Sequence, residues 1–322
     1  MVKSTSFGRL LCIAALGLSS ASYAQAYPHA PITIIVPYPA GGGVDTMARL
    51  FGAALQAKWG HPVVVENRAG GNGAVGAQLV AKASPDGYTL LASAEGPLVM
   101  NQHLYTKLNY DPTAFTPVTI ISSSPMFLSV TPSVPVGNLA ELLAYAKAHP
   151  GALRYGTSGV GAPSHLSGVM LEMKTGIELT QVPYKGSAQS LSDFLGDHIN
   201  MLFAFQTSAG PYFNTDKMKV LAVTSPQRHP AFPAIPAIAE TLPGFAALSW
   251  VAMVAPPGTP PEIASKLSSA IAEAMKSPEI KKKIEELGST PIANTPAEAG
   301  AFLKEESGRW GEVIRAAKLK VD

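Results

Sequence analysis

Three short stretches of this chain bring together residues that could do chemistry, each where an apolar run gives way to a polar loop. The first is Pro37-Tyr38-Pro39-Ala40-Gly41-Gly42-Gly43-Val44-Asp45. Adjacent glycines let a main chain approach a ligand with no side chain in the way. The helical pattern that follows supplies free N–H groups and the positive end of a helix dipole. That combination suits a carboxylate or phosphate, although a plain tight turn from strand to helix has the same composition. Asp45 and Arg49 are spaced for an intrahelical ion pair, so Asp45 reads as a brace for the loop and Arg49 as already engaged. The second stretch is Gly156-Thr157-Ser158-Gly159-Val160-Gly161-Ala162-Pro163-Ser164-His165. Ser158, Ser164 and backbone N–H groups could make a second anion loop, with His165 on the first helical turn. The competing chemistry is a serine nucleophile with His165 as its base. No acid is placed to orient that imidazole, and Val160 stands where a nucleophile elbow needs glycine. In the third stretch, Tyr184-Lys185-Gly186-Ser187, Ser187 either caps a helix or reaches a ligand. Lys185 is either an anion partner or a solvated lysine.

Other patterns carry less. Gly71-Asn72-Gly73-Ala74-Val75-Gly76 fits a dinucleotide fingerprint in form, but it follows the second strand of the chain and reads better as a turn packing a helix close to a strand. The seven histidines show no metal-ligand spacing, so neither metal nor cofactor is expected. Lys281-Lys282-Lys283 followed by Glu285-Glu286 reads as a solvated helix face.

The elements that must position these loops alternate. Strand patterns at 32–36, 63–66 and 88–92 are separated by helical patterns at 44–59 and 74–83. The rhythm returns from Leu139, with helices at 139–148, 163–174 and 187–195 and strands at 153–155, 178–182, 199–203 and 219–224. Such alternation predicts parallel α/β sheets. Two proline-punctuated extended stretches, 117–136 and 223–243, could each carry the chain between lobes. Three helical segments, 261–277, 278–287 and 296–317, each begin at or near proline. The last is placed back on the first lobe.

The start reads as an export leader: Lys3 and Arg9, an apolar core from Leu10 to Leu18, and a small-x-small site at Ala24-Gln25-Ala26. Cleavage is expected after Ala26, giving a soluble periplasmic protein. The only cysteine, Cys12, leaves with the leader. Loss of Lys3 and Arg9 leaves basic residues equal in number to the 22 acidic ones, so nothing points to nucleic acid or an anionic membrane as partner.

Several motifs in order then resemble one family. They are Ile35-Val36-Pro37-Tyr38-Pro39-Ala40-Gly41-Gly42-Gly43-Val44-Asp45, Val65-Glu66-Asn67-Arg68-Ala69-Gly70-Gly71-Asn72-Gly73, Pro85-Asp86-Gly87-Tyr88-Thr89-Leu90-Leu91, Gly159-Val160-Gly161-Ala162-Pro163-Ser164-His165-Leu166, Val182-Pro183-Tyr184-Lys185-Gly186, Ala222-Val223-Thr224-Ser225 and Ala255-Pro256-Pro257-Gly258-Thr259-Pro260. The chain resembles the Bug-type periplasmic solute-binding proteins, the receptor component of tripartite tricarboxylate transporters. The resemblance implies an α/β, two-lobed periplasmic-binding-protein (Venus flytrap, type II) fold with a parallel-rich sheet in each lobe. Lobe 1 is expected at 27–125 plus 229–322 and lobe 2 at 126–228, after a leader at 1–26. It also implies that the two glycine-rich loops hold a ligand carboxylate.

The expected ligand-binding set is Tyr38, Ala40, Gly41, Gly42, Gly43, Asp45, Ser93, Thr157, Ser158, Gly159, Ala162, Ser164, Ser187, Phe205 and Gln206, with no catalytic residue. Ala204 falls where relatives often carry an acid, which disfavours an ammonium-bearing ligand, and Phe205 hints at an apolar or aromatic body. Glu95, where relatives often have a neutral residue, must be protonated, paired or distant from the ligand if it faces the cleft. The reading is a monomeric receptor that captures a small organic carboxylate, a dicarboxylate or an aromatic acid, for inner-membrane transporter subunits. Presentation to a sensor kinase and a periplasmic serine hydrolase are the alternatives.

Overall fold

The structure, a computed structural model, describes residues 27–322 apart from Val160, Lys185, Asn214 and Asp322. The expected leader, its cleavage site and the reading of Lys185 lie outside the described residues. The chain begins with β1 (Ile32–Val36), α1 (Gly43–Trp59), β2 (Val63–Asn67), α2 (Ala74–Ala81) and β3 (Thr89–Ser93). A π-helical turn, Gly96–Met100, then runs into α3 (Asn101–Leu104). The long β4 (Thr116–Val130) precedes α4 (Leu139–Ala148), β5 (Arg154–Thr157), α5 (Pro163–Thr175), β6 (Thr180–Pro183), α6 (Ser187–Leu195), β7 (Met201–Phe205), α7 (Gln206–Ala209) and β8 (Lys219–Val223). The chain closes with α8 (Ile238–Thr241), β9 (Leu248–Ala255), α9 (Pro261–Ala274), α10 (Pro278–Glu286), β10 (Thr290–Pro291) and α11 (Pro296–Ala316).

The strands lie in the order β2-β1-β3-β9-β4-β7-β5-β6, with β8 and β10 also against β4. In the first lobe β1 pairs parallel with β2 and β3. In the second, β5 pairs parallel with β6 and β7. Strands covered by helices on both faces read as apolar runs, and β1 is one: Ile32, Ile34 and Val36 pack with Met47, Phe51 and Leu55 of α1 and Leu267 and Ile271 of α9. Ile35 faces the other side, toward Ala77 and Val80 of α2. The expected strand-loop-helix rhythm is therefore present in both lobes. Where Gly76 of α2 crosses the end of β1, a Cβ would lie 2.8 Å from Pro37 Cβ, so the glycine pattern there serves close packing, as expected.

One strand joins the two lobes. β4 pairs with β9 along Thr116–Pro125 and with β7 along Met126–Val130, antiparallel to both. The sequence pattern assigns no element to 248–255, yet β9 lies between β3 and β4 in the first sheet. A strand buried on both faces shows no alternation, so periodicity is silent there. Ala237 bridges to Val223, Phe232 packs on Phe127, and the Ala247 N–H donates to Thr224 O, so the chain stays against the second sheet until Leu248. α11 packs along β4 and the π-turn and also reaches α5, touching both lobes rather than the first alone. No helix among the described residues is long and apolar enough to cross a membrane.

Candidate functional site

The loops after β1 and β5 open into one cavity of about 570 Å³. From the first loop it is lined by Tyr38, Gly42, Gly43, Val44 and Asp45, and from the second by Ser158, Gly159, Gly161, Ala162 and Pro163. Phe205, at the end of β7, closes it from the second lobe. Asn72, the Ala94-Glu95-Gly96 corner, Met100, Leu104, Tyr105, Ser249 and Val321 complete the wall. A second space of about 410 Å³ shares Gly43, Val44, Ala94, Phe205 and Ser249 with the first and continues it along β9.

The first loop is built as its residues suggest. Asp45 is buried and accepts hydrogen bonds from Gly41 N at 2.9 Å, Arg49 Nε at 3.0 Å and Asn67 Nδ2 at 2.9 Å. The Arg49 hydrogen bond is the main cause that holds its carboxyl down at about 2. Asp45 thus pins the loop, and Arg49 is spent on it. Gly41 carries the positive φ of +87°, whereas Gly42 is extended at φ −77°. The N–H groups at the start of α1, from Gly43 to Asp45, have no intrahelical carbonyl to meet. They begin at the cavity wall.

The second loop works differently from expectation. The Ser158 N–H donates to Ser164 Oγ at 3.1 Å, Gly161 N donates to His165 Nδ1 at 3.0 Å, and Ala162 N donates to Gly159 O. Its amides are largely spent inside the loop, so it offers the Ser158 hydroxyl and a close-fitting main-chain surface. His165 is buried, burial pushes its pKa down, and its Nδ1 already accepts from Gly161. An imidazole so placed orders the loop and cannot take a proton from Ser158 through that nitrogen.

Of the expected set, Tyr38, Gly42, Gly43, Asp45, Ser158, Gly159, Ala162 and Phe205 line the cavity, while Ala40, Gly41, Ser93, Thr157, Ser164, Ser187 and Gln206 do not. Ser93 sits 3.5 Å from the Tyr38 hydroxyl and Thr157 accepts from Gln181 at 3.1 Å, so both support the wall from behind. Ser187 begins α6 with Gly186 as its cap and makes no cap bond itself. Gln206 opens α7 beside Gly288. Ala204 lies away from the cavity. It packs with Phe194, Ile199 and Leu202 in the outer core of lobe 2. Adjacent strand residues point to opposite faces, so Phe205 and not Ala204 meets the cleft. The absence of an acid at 204 therefore carries no information about an ammonium group.

Besides the braced Asp45, a second acid, Glu95, lines the cavity. It is 3% exposed. It accepts from Ser249 Oγ at 3.2 Å and from Trp250 N at 3.4 Å. Burial pushes its carboxyl up to about 7. Trp250 also donates its indole N–H to Glu306 at 2.9 Å, and Trp310 donates to the same carboxylate at 3.1 Å. Arg309 pairs with Glu306 from the solvent side. Among the described residues no cluster of acidic, histidine or cysteine side chains is arranged to hold a metal ion.

Comparisons with known proteins agree with this architecture. Residues 47–319 match the profile described as "Tripartite tricarboxylate transporter family receptor". Protein BugT of Bordetella pertussis is 35% identical over 313 residues, which cover 96% of each chain. The solved structure of R. palustris Rpa4515 with adipate is 36% identical, with a TM-score of 0.76 over 92% of this chain and all of that one. MatC from Rhodopseudomonas palustris, solved with bound malate, is 30% identical, with a TM-score of 0.71 over 89% of this chain and all of that one.

Proposed function

The chain belongs to the tripartite tricarboxylate transporter receptor family, and from that premise we propose that it captures a small organic carboxylate between its lobes for uptake by membrane subunits of such a transporter. Receptors of this family are periplasmic solute-binding proteins and not enzymes. One observation carries the ligand reading: the cavity is framed by the amide-bearing start of α1 on one side and by the Ser158 loop on the other. Helix-start amides recognise a carboxylate without a cationic side chain, and the described lining holds no lysine or arginine. Val44, Met100, Leu104, Tyr105, Phe205 and Val321 give the rest of the cavity an apolar character. That suits the chain of a dicarboxylate or the ring of an aromatic acid. The adipate and malate held by the two relatives favour the dicarboxylate. Export by cleavage after Ala26 and action as a monomer are parts of the same proposal.

A thermal-shift screen tests it, pairing each keto, hydroxy or aromatic acid with its amino-acid analogue. A ligand at about 100 times its Kd adds roughly 2.7 kcal/mol of stability, a readable rise in Tm. Stabilisation by diacids or aromatic acids is expected. Failure of every acid in the screen to stabilise the protein would refute the ligand class.

Ser158→Ala should weaken the strongest such ligand by roughly 1–3 kcal/mol, because a hydrogen bond to a charged acceptor is lost. Calorimetry reads it directly. Full affinity in the variant would mean that the second loop contributes shape alone.

A further inference from the structure

Glu95 is the one feature of the cleft that a carboxylate receptor does not need. Its carboxyl lies at the corner between β3 and the π-turn, hydrogen-bonded to Ser249, and both residues line the cavity. An anionic ligand brought against an ionised, buried carboxylate would face direct repulsion in a weakly screened site. We propose that Glu95 enters the site as a neutral carboxylic acid that donates a hydrogen bond to an oxygen of the bound organic anion, so that capture of the anion by protein with Glu95 ionised takes up one proton. The proposal rests on the carboxylate reading above.

The surroundings of Glu95 are consistent with that state. On α11, Glu306 adds negative charge and raises the Glu95 pKa, while Arg309 is committed to Glu306 and Glu305. After β1, the Tyr38 phenol is partly buried, and desolvation pushes it above its ordinary range, so it stays neutral and adds no cation. Across the cavity, Asp45 is ionised but neutralised by Arg49. From β9, Ser249 Oγ and Trp250 N are neutral donors. No cation among the described residues pairs with Glu95. A proton is then the means by which these neighbours accommodate both Glu95 and an anion. It comes from solvent, stays on a Glu95 carboxyl oxygen and points to the ligand oxygen, and no covalent bond forms or breaks.

This makes Glu95 a specificity-determining residue. It selects anions at low pH and rejects them as pH rises. Glu95→Gln replaces the acid with a neutral group that can still donate and accept, and so should copy the ligand-competent state at every pH.

The test is calorimetric titration of wild type and Glu95→Gln with adipate and with malate, at about pH 6 and about pH 8.5, each in two buffers of different ionisation enthalpy. Wild-type affinity should fall roughly tenfold per pH unit above neutrality, with net proton uptake of about one at about pH 8.5 and close to none at about pH 6, where Glu95 already carries its proton. Glu95→Gln should bind at both pH values with little change and no uptake. A ligand-free arm compares unfolding stability. A folded pKa raised from the ordinary 4.5 to about 7 gives wild type a stabilising contribution that is present below the ordinary value and lost as pH rises toward neutrality. The variant should therefore gain on wild type across that window and hold its gain above it. Anion affinity that is flat with pH in wild type overturns the proposal, as does a wild-type advantage that grows with pH. The latter, with selection of amino-acid analogues, would make Glu95 an ionised counter-charge for an ammonium group. Failure of every acid in the screen to bind either protein at either pH would overturn the carboxylate reading itself, and this proposal with it.

Discussion

Gly42→Val should abolish binding of the carboxylate while leaving the fold intact. Gly42 sits at φ −77° and ψ 169°, a conformation any residue adopts, and a Cβ there would meet only Pro39 O, at 3.8 Å. The protein itself therefore has room for the side chain. The cavity does not, because Gly42 lines it immediately before the α1 amides. A branched side chain at that point keeps a ligand oxygen from reaching the helix start, where the charge-assisted hydrogen bonds lie. A loss of at least about 100-fold, about 2.7 kcal/mol, is expected by calorimetry, with Tm moved by no more than about 2 °C. Gly41→Val makes the contrast. Gly41 holds φ +87° and donates its N–H to Asp45, so a β-branched residue there strains the loop and should lower Tm. Wild-type affinity in a folded Gly42→Val protein would remove the first loop from the site.

The second large effect is on stability. Glu306→Ala should lower the unfolding free energy by about 2–5 kcal/mol, because the indole N–H groups of Trp250 and Trp310 lose their shared acceptor. Both tryptophans are buried, at 1% and 0% exposure, so water cannot replace the carboxylate without rearrangement. Arg309 keeps part of its side chain in solvent and retains Glu305 as a partner, so the indoles carry most of the cost. Denaturant unfolding measures this, and Glu306→Gln, which keeps an acceptor, should recover part of the loss. A change within about 1 kcal/mol for Glu306→Ala would mean that Glu306 is not what anchors α11 to β9.

Much of the site is local in sequence, and that part was legible. A strand, a glycine loop and a helix start follow one another within eighteen residues at 32–49 and within twelve at 154–165, and the i, i+4 spacing of Asp45 and Arg49 already declares the brace. The remainder comes from tertiary packing, which periodicity does not encode. Asn72, Tyr105 and Val321 reach the cavity from turns and the chain's far end. β9 is apolar without a break from Trp250 to Ala255 and shows no alternation there. Ala204 and Phe205 differ by one residue, and one residue on a strand is the whole difference between core and cleft. In the second loop, serine and histidine side chains take up the amides that glycine composition alone suggested were free. Glu95 was visible as an oddity, but only its burial against Ser249 and Trp250 places it in the wall.

Capture between the lobes requires a ligand held by both at once, and backbone amide hydrogen exchange with and without the strongest acid from the screen tests that most directly. Peptides covering 39–47 and 156–164 should both gain protection at the same ligand concentration, the first through amides that meet the ligand and the second through a loop that loses its opening motion. Protection of one loop without the other, or protection confined to a different part of the molecule, would contradict capture between the lobes.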